Sequence, residues 1–196
     1  SAASDVYKRQ AKTKKNKSAQ PFFLYVAFTA PHWPLHAHDE ELAKYRDKYL
    51  MGWDKLREQR FARQQESGLI PSSWKLSPRD PDVPAWDSLS KEKQQQSANL
   101  MSAYAAVIDR LDQNIGHLFQ TIKKHDEWNN TLVLFLSDNG ACAEGSDTGL
   151  GDPVKDRSPL TALQRPSYGK AWANVSSTPY RLFKSFAHEG GSNTPF

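Results

Sequence analysis

The stretch Thr131-Leu132-Val133-Leu134-Phe135-Leu136-Ser137-Asp138-Asn139-Gly140 joins an unbroken apolar run to a polar turn. A short apolar run of this kind is typical of a strand buried on both faces, as in a mostly parallel sheet. In open α/β sheets, ligands bind beyond the carboxyl ends of the strands. We therefore expect residues 131–136 to form a strand that delivers Asp138 and Asn139 to a binding crevice.

Asp138 and Asn139 are two hard oxygen donors side by side. Carboxylate and amide oxygens suit Ca²⁺ or Mg²⁺. However, Asp-Asn-Gly is also ordinary turn chemistry, and taken alone the three residues favour a simple turn. The rest of the chain has to decide between the turn and a metal site.

Length and composition set further limits. A chain of 196 residues is long enough for one domain with a real core. No apolar run approaches the roughly 20 residues that a membrane-spanning helix needs, so we expect no membrane span. The single cysteine, Cys142, excludes an internal disulfide and a multi-cysteine zinc site.

The net charge of +4 comes from one end of the chain. Residues 1–20 hold six of the 26 basic residues and one of the 22 acidic ones, which leaves 20 basic and 21 acidic residues in 21–196. We interpret residues 1–20 as a non-native or disordered basic tail, and residues 21–196 as the domain. The basic pI is therefore poor support for nucleic-acid binding, and we expect no nucleic-acid partner.

A second apolar run, Pro-Phe-Phe-Leu-Tyr-Val-Ala-Phe at residues 21–28, also predicts a buried strand. It leads into Pro31-His32-Trp33-Pro34, where two prolines hold His32 in a stiff turn. A lone histidine in such a turn favours loop packing over a binding role. Its position just beyond a strand is what makes His32 a candidate.

Helical periodicity fills much of the chain between the two apolar runs. It covers residues 39–65, with a break at Met51-Gly52 and Gly68 as a C-cap, and then residues 97–124, after an extended loop. A right-handed crossover would make the two strands parallel. His32 would then share one crevice with Asp138 and Asn139.

The last third of the chain is less regular. Residues 141–179 are rich in Gly, Ser, Asp and Pro and predict a long loop, which in a compact domain is usually functional or disordered. Residues 180–187 alternate like a strand, which would place Lys184 on a largely apolar face. An ammonium group is costly there unless it meets an anion.

These segments together resemble the middle of a type I sulfatase, in particular the bacterial arylsulfatase branch. The matching segments are residues 21–25 and 30–34, the helix at 104–115, residues 136–140, and residues 180–184 with 189–191. The resemblance implies an α/β fold, a three-layer sandwich with a mostly parallel central sheet, alkaline-phosphatase-like and here incomplete. Residues 21–196 would then be part of a sulfatase catalytic domain.

The resemblance also implies residue roles. Asp138 and Asn139 would be two ligands of a divalent cation, usually Ca²⁺ with Mg²⁺ as the alternative. His32 and Lys184 would be catalytic and bind the substrate sulfate group, and either could protonate the leaving group. His188 lies beside the site in sequence and receives no role.

The family's nucleophile is a formylglycine made from a Cys/Ser-x-Pro-x-Arg motif near the family's N-terminus. The single string of this form here, at residues 177–181, overlaps the 180–184 segment that matches a different part of the family, so it is not identified as that motif. Cys142 is followed by Ala-Glu-Gly and does not fit it. We therefore expect the chain alone to be inactive, as part of a hydrolase of small-molecule or carbohydrate sulfate esters. Two alternatives stay open: a phosphonate monoester or phosphodiester hydrolase of the same superfamily, and a sulfatase-like protein without catalysis. The cellular compartment also stays open.

Overall fold

The computed structural model describes residues 21–153 and 165–194, so the basic tail at 1–20 lies outside the described residues. The described part contains helices α1 (Asp39–Tyr45), α2 (Gly52–Glu66), α3 (Lys91–Lys124), α4 (Gly169–Ser176) and α5 (Glu189–Ser192). Two single 3₁₀ turns lie at Trp86–Ser88 and Trp128–Asn130. None of the helices in these two ranges is both long and apolar enough to cross a membrane.

Glycines define both ends of α2, as the sequence predicts. Gly52 has a φ of +85°, which interrupts the helical pattern between α1 and α2. A side chain at this position would meet the indole of Trp86, because a Cβ would lie 2.2 Å from its Cγ atom. At the other end, Gly68 has a φ of +73° and donates its N–H to the carbonyl of Gln65 at 3.0 Å. The predicted break and the predicted C-cap are therefore confirmed.

Helix α3 is the longest element, and it begins six residues before the predicted start. Ser90 caps it, because its hydroxyl accepts the N–H of Lys93 at 3.3 Å. The first helical residues, 91–96, are all polar and give no apolar periodicity. Gln94 is nevertheless buried, since its amide donates to the carbonyl of Trp86 at 3.0 Å. The C-terminal end at Lys124 agrees with the prediction.

Three tryptophans form the centre of the core. The indoles of Trp53, Trp86 and Trp172 pack edge to face, with ring centroids 4.7 to 5.9 Å apart. The two most enclosed rings also satisfy their N–H groups: Trp53 donates to the carbonyl of Pro84 and Trp172 to that of Ser97, each at 3.0 Å. The cluster joins α2, the first 3₁₀ turn, α3 and α4.

Helix α4 lies inside the segment predicted to be a long loop, so that part of the loop prediction is wrong. The helix has only eight residues and no side-chain N-cap, which leaves little local signal. Burial forms it instead: Trp172, Ala173 and Val175 are almost fully enclosed. Tertiary packing here outweighs the loop-like composition around the helix.

Charged side chains join α1 to α3. The guanidinium of Arg110 lies 2.6 Å from the carboxylate of Glu41, which is buried and also accepts the amide of Gln113 at 3.1 Å. One turn further along, Lys44 and the Tyr45 hydroxyl both reach the carboxylate of Asp109 at 3.1 Å. These hydrogen bonds compensate the desolvation of Glu41.

The segment at 21–28 is extended and uses only one of its faces. Its alternate side chains Phe22, Leu24 and Val26 pack on Leu118 and Ile122 of α3. The intervening side chains face outward, with Phe23 85% exposed. Burial on both faces is thus not observed for this segment.

The segment at 131–136 is assigned neither helix nor strand, and Leu132 is 84% exposed. Within residues 21–153 and 165–194, the bridge between Leu150 and Ser167 is the single β-pairing. Neither apolar run forms a β-ladder with another described segment, and the outward side chains of both runs are exposed. The predicted parallel sheet therefore stays an expectation.

The strand predicted at 180–187 is wrong. The backbone turns at Leu182 and Ser185, whose φ angles are +62° and +80°. Hydrogen bonds from Tyr180 to Ser177 and from Phe186 to Phe183 close two tight turns. The alternation in the sequence comes from Phe183 entering the core, while Lys184 points towards other polar groups.

Candidate functional site

Backbone hydrogen bonds hold two of the predicted site segments together. The N–H of Lys184 donates to the carbonyl of Ala141, and the N–H of Gly140 donates to the carbonyl of Gly191, both at 3.0 Å. Gly140 has no room for a side chain, because a Cβ would lie 1.8 Å from the carbonyl oxygen of Gly190. The segment after Asn139 is therefore fixed against the turns that carry Lys184.

His32 and Lys184 meet at this point. Nε2 of His32 lies 3.1 Å from Nζ of Lys184, and Nδ1 lies 2.8 Å from the carbonyl oxygen of Trp33. A carbonyl oxygen only accepts, so Nδ1 carries the proton and donates. The Nε2 atom then has a free lone pair and accepts an N–H from the Lys184 ammonium.

Glu144 adds a negative charge to the pair. One of its carboxylate oxygens lies 3.3 Å from Nζ of Lys184, and the Cys142 thiol donates to the other oxygen. Burial alone raises the pKa of the Glu144 carboxyl, but the hydrogen bonds from Cys142 and Lys184 lower it overall. Sequence reasoning missed Glu144, because nothing in the local sequence Ala141-Cys142-Ala143-Glu144 marks it as a site residue.

Cys142 is a protonated thiol in this setting. Burial first, and the neighbouring Glu144 carboxylate second, raise its pKa from 9.0 to about 11. A thiol with a raised pKa is a poor nucleophile near neutral pH. The geometry thus agrees with the sequence reasoning that Cys142 is not the nucleophile.

Asp138 and Asn139 lie on the same segment, two and one residues before Gly140. The Asn139 amide donates to the Asp138 carboxylate at 3.0 Å, and the Ser137 hydroxyl donates to the Asn139 carbonyl at 3.0 Å. Their oxygens are the right chemical type for a hard dication, which takes about six to eight oxygen ligands. The pair therefore fits Ca²⁺ as part of a coordination shell.

A second group of potential ligands lies at the Lys184 end. One ligand atom each from His32, Cys142 and Glu144 lies within 4.8 Å of the others. The set would suit Zn²⁺ by chemistry. However, Nζ of Lys184 lies 3.1 Å from the His32 nitrogen and 3.3 Å from a Glu144 oxygen, so an ammonium already occupies the position of a cation.

Comparison with known proteins identifies the family of the chain. The family model described as Sulfatase matches residues 3–196. An uncharacterised sulfatase of Schizosaccharomyces pombe is 38% identical over 93% of the chain and 35% of its own length. An arylsulfatase of Klebsiella aerogenes is 37% identical over 99% of the chain and 44% of its own length.

A human relative has a named substrate. N-sulphoglucosamine sulphohydrolase is 31% identical over 80% of the chain and 28% of its own length. In each of these three comparisons the chain spans less than half of the curated relative.

Proposed function

Because the chain belongs to the sulfatase family, we propose that it forms the sulfate-binding part of a sulfuric ester hydrolase, with His32 and Lys184 as the residues that bind the sulfate group. The observation that carries this proposal is the 3.1 Å contact between the two side chains, across 152 residues of sequence. The family implies an α/β fold, in which we place residues 21–28 and 131–136 as parallel strands of one sheet.

The paired side chains suit a sulfate ester. The ammonium of Lys184 can stabilise negative charge that develops on the sulfate oxygens. His32 accepts one of its N–H groups, so the pair holds a proton that can move to the leaving alkoxide. Lys184 is the donor in the geometry observed.

Asp138 and Asn139 would hold a divalent cation, Ca²⁺ in this proposal. When bound, such an ion supplies positive charge beside the sulfate oxygens. The single Cys/Ser-x-Pro-x-Arg string, at residues 177–181, overlaps the segment that carries Lys184, so we do not assign it the nucleophile. We therefore expect the 196 residues to bind a sulfate group without turning over its ester.

Titration of the chain with sodium sulfate, followed by calorimetry, tests the binding claim. We expect K184A and H32A each to weaken binding about tenfold or more, since K184A removes the ammonium that binds the anion and H32A removes the acceptor that holds this ammonium. K170A is a matched control, because Lys170 pairs with Asp147 at 3.0 Å in another part of the surface. Equal sulfate affinity in K184A and the wild type would refute the proposal.

Two parallel measurements define the ligand and the activity. Titration with inorganic phosphate distinguishes the sulfatase hypothesis from the hypothesis of a phosphonate or phosphodiester hydrolase. We expect sulfate to bind more tightly than phosphate. Incubation with 4-nitrophenyl sulfate should release no 4-nitrophenol. Release that K184A abolishes would instead show that the chain is catalytic by itself.

A further inference from the structure

We propose that Glu144 is a positioning residue, which holds the Lys184 ammonium in the direction needed to receive an anion. The inference rests on the proposed sulfate-binding role of Lys184 and adds a residue to that site. It predicts that a neutral variant without the Glu144 acceptor binds sulfate more weakly than a neutral variant that keeps an acceptor there.

The first support is that one short segment holds Lys184 at both ends. The carbonyl of Ala141 accepts the backbone N–H of Lys184 at 3.0 Å, and the Glu144 carboxylate contacts its Nζ atom at 3.3 Å. A free lysine side chain loses rotamer entropy when it is fixed. Because contacts at both ends fix the Lys184 side chain when the chain folds, this entropy is not lost again when a ligand binds.

The second support is the geometry of the ammonium itself. An ammonium group has three N–H donors. One is directed at Nε2 of His32 and one at the Glu144 carboxylate. Two fixed donors determine the direction of the third, which is then available to a sulfate oxygen. The Lys184 side chain is 26% exposed, so an anion from solvent can reach it.

The third support is that the carboxylate is itself held in place. The Cys142 thiol donates to the Glu144 oxygen that does not face Lys184. The thiol stays protonated near neutral pH, because burial raises its pKa. The contacts thus form a chain: Cys142 holds the Glu144 carboxylate, and Glu144 holds the Lys184 ammonium, which contacts His32.

A carboxylate beside an anion site also repels the anion, so substitution of Glu144 changes two effects at once. Two neutral variants separate them. E144Q keeps an oxygen acceptor of the same length, whereas E144A removes it. Both lack the negative charge, so a difference between them reports positioning alone.

The experiment measures sulfate affinity and the ¹H–¹⁵N signal of the Lys184 ammonium in the wild type, E144Q and E144A. We expect E144A to bind sulfate about tenfold more weakly than E144Q. We also expect the ammonium signal, assigned by its loss in K184R, to be sharp in the wild type and E144Q. It should be broadened by exchange with water in E144A.

The two readouts fail separately. Absence of sulfate binding in the wild type refutes the proposed function, and the ammonium signal then decides the role of Glu144 without a ligand. Equal sulfate affinities in E144Q and E144A, or a wild-type ammonium signal no sharper than that of E144A, overturn the inference. D147N is the matched control, since it removes the charge of the nearer partner of Lys170 and should leave both Lys184 readouts unchanged.

Discussion

The ε-ammonium of Lys184 lies 3.1 Å from Nε2 of His32, although 152 residues separate them. Other contacts hold both residues. The His32 ring donates to the carbonyl of Trp33, and the backbone N–H of Lys184 donates to the carbonyl of Ala141. Because the backbone fixes both groups, the pair is prepared before a ligand arrives, which lowers the entropic cost of binding.

The Lys184 site should distinguish charge from geometry. K184R keeps the positive charge but replaces a compact ammonium by a planar guanidinium that does not match the same three directions. We expect sulfate affinity to fall in the order wild type, K184R, K184A, with about tenfold or more between the first and the last. Calorimetric titration measures the order. Wild-type affinity in K184R would show that charge alone is sufficient.

The metal proposal concerns Asp138. D138N replaces a charged oxygen ligand by a neutral one and should weaken Ca²⁺ binding by about tenfold or more. Terbium luminescence and competition with Ca²⁺ measure the affinity in the chain itself. D87N is the control, because Asp87 is an exposed carboxylate on the 3₁₀ turn at 86–88. An equal loss in both variants would indicate surface charge instead of a site.

Two glycines separate backbone strain from steric clash. Gly52 and Gly68 have φ angles of +85° and +73°, but an added Cβ would meet Trp86 only at Gly52, while nothing lies within 4 Å at Gly68. We expect G68A to lower the free energy of unfolding by about 1 kcal/mol, from strain alone. G52A should cost about 3 kcal/mol or more, since overpacking adds to strain. Urea unfolding of the two variants compares them, and equal losses would contradict the packing at Trp86.

Cys142 should react slowly with alkylating reagents. A rise of its pKa from 9.0 to about 11 lowers the thiolate fraction at pH 8 by about a hundredfold. Iodoacetamide labelling followed by mass spectrometry should therefore be far slower in the folded chain than in urea. E144Q should speed the reaction, because the neighbouring negative charge is removed. Equal rates with and without urea would show that the thiol is not protected.

The contacts between α1 and α3 should make stability depend on acid. Burial alone raises the pKa of Glu41, but hydrogen bonds from Gln113 and Arg110 lower it overall from 4.5, and those from Gln113 and Lys44 lower the pKa of Asp109 from 3.8. In the unfolded chain both carboxyl groups have their ordinary pKa values, so they take up protons at a higher pH than in the folded chain. The contacts of Glu41 and Asp109 therefore stabilise the fold fully above those ordinary pKa values. This stabilisation is lost as the pH falls through the lowered pKa values of the folded chain.

The corresponding measurement is the free energy of unfolding between pH 6 and pH 3. The wild type should lose stability faster than the E41Q/D109N double variant on this descent. The slope is the relevant quantity, because the double variant also loses ion pairs at every pH. Parallel slopes would contradict the lowered pKa values.

Local chemistry explains which features the sequence could predict. Gly52, Gly68 and the apolar stripe of α3 act through backbone angles and helical spacing, so each is visible in the sequence. The alternation in residues 180–187 predicts a strand, but the structure has turns there. Phe183 is apolar because it enters the core, and not because it lies on one face of a strand. Helix α4 was missed for the same reason, since Trp172 is helical through its packing on Trp53 and Trp86.

The candidate site shows the same division. His32 and Lys184 were found through a stiff turn, an apolar context and the family resemblance, and the structure brings the two together. Glu144 carries no local signal, because its role depends on the turn that places Lys184 beside it. The placement of residues 21–28 and 131–136 as parallel strands of one sheet stays a prediction, since a sheet needs neighbouring strands that these two segments do not supply to each other.

The Trp53, Trp86 and Trp172 cluster also gives the protein a built-in optical probe. Indoles with centroids between 4.7 and 5.9 Å apart couple their excited states, which alters near-ultraviolet circular dichroism and tryptophan emission. Each indole belongs to a different element, so separation of any one changes the spectrum of all three. A single spectroscopic trace can therefore follow the assembly of α2, the 3₁₀ turn and α4 without an added label.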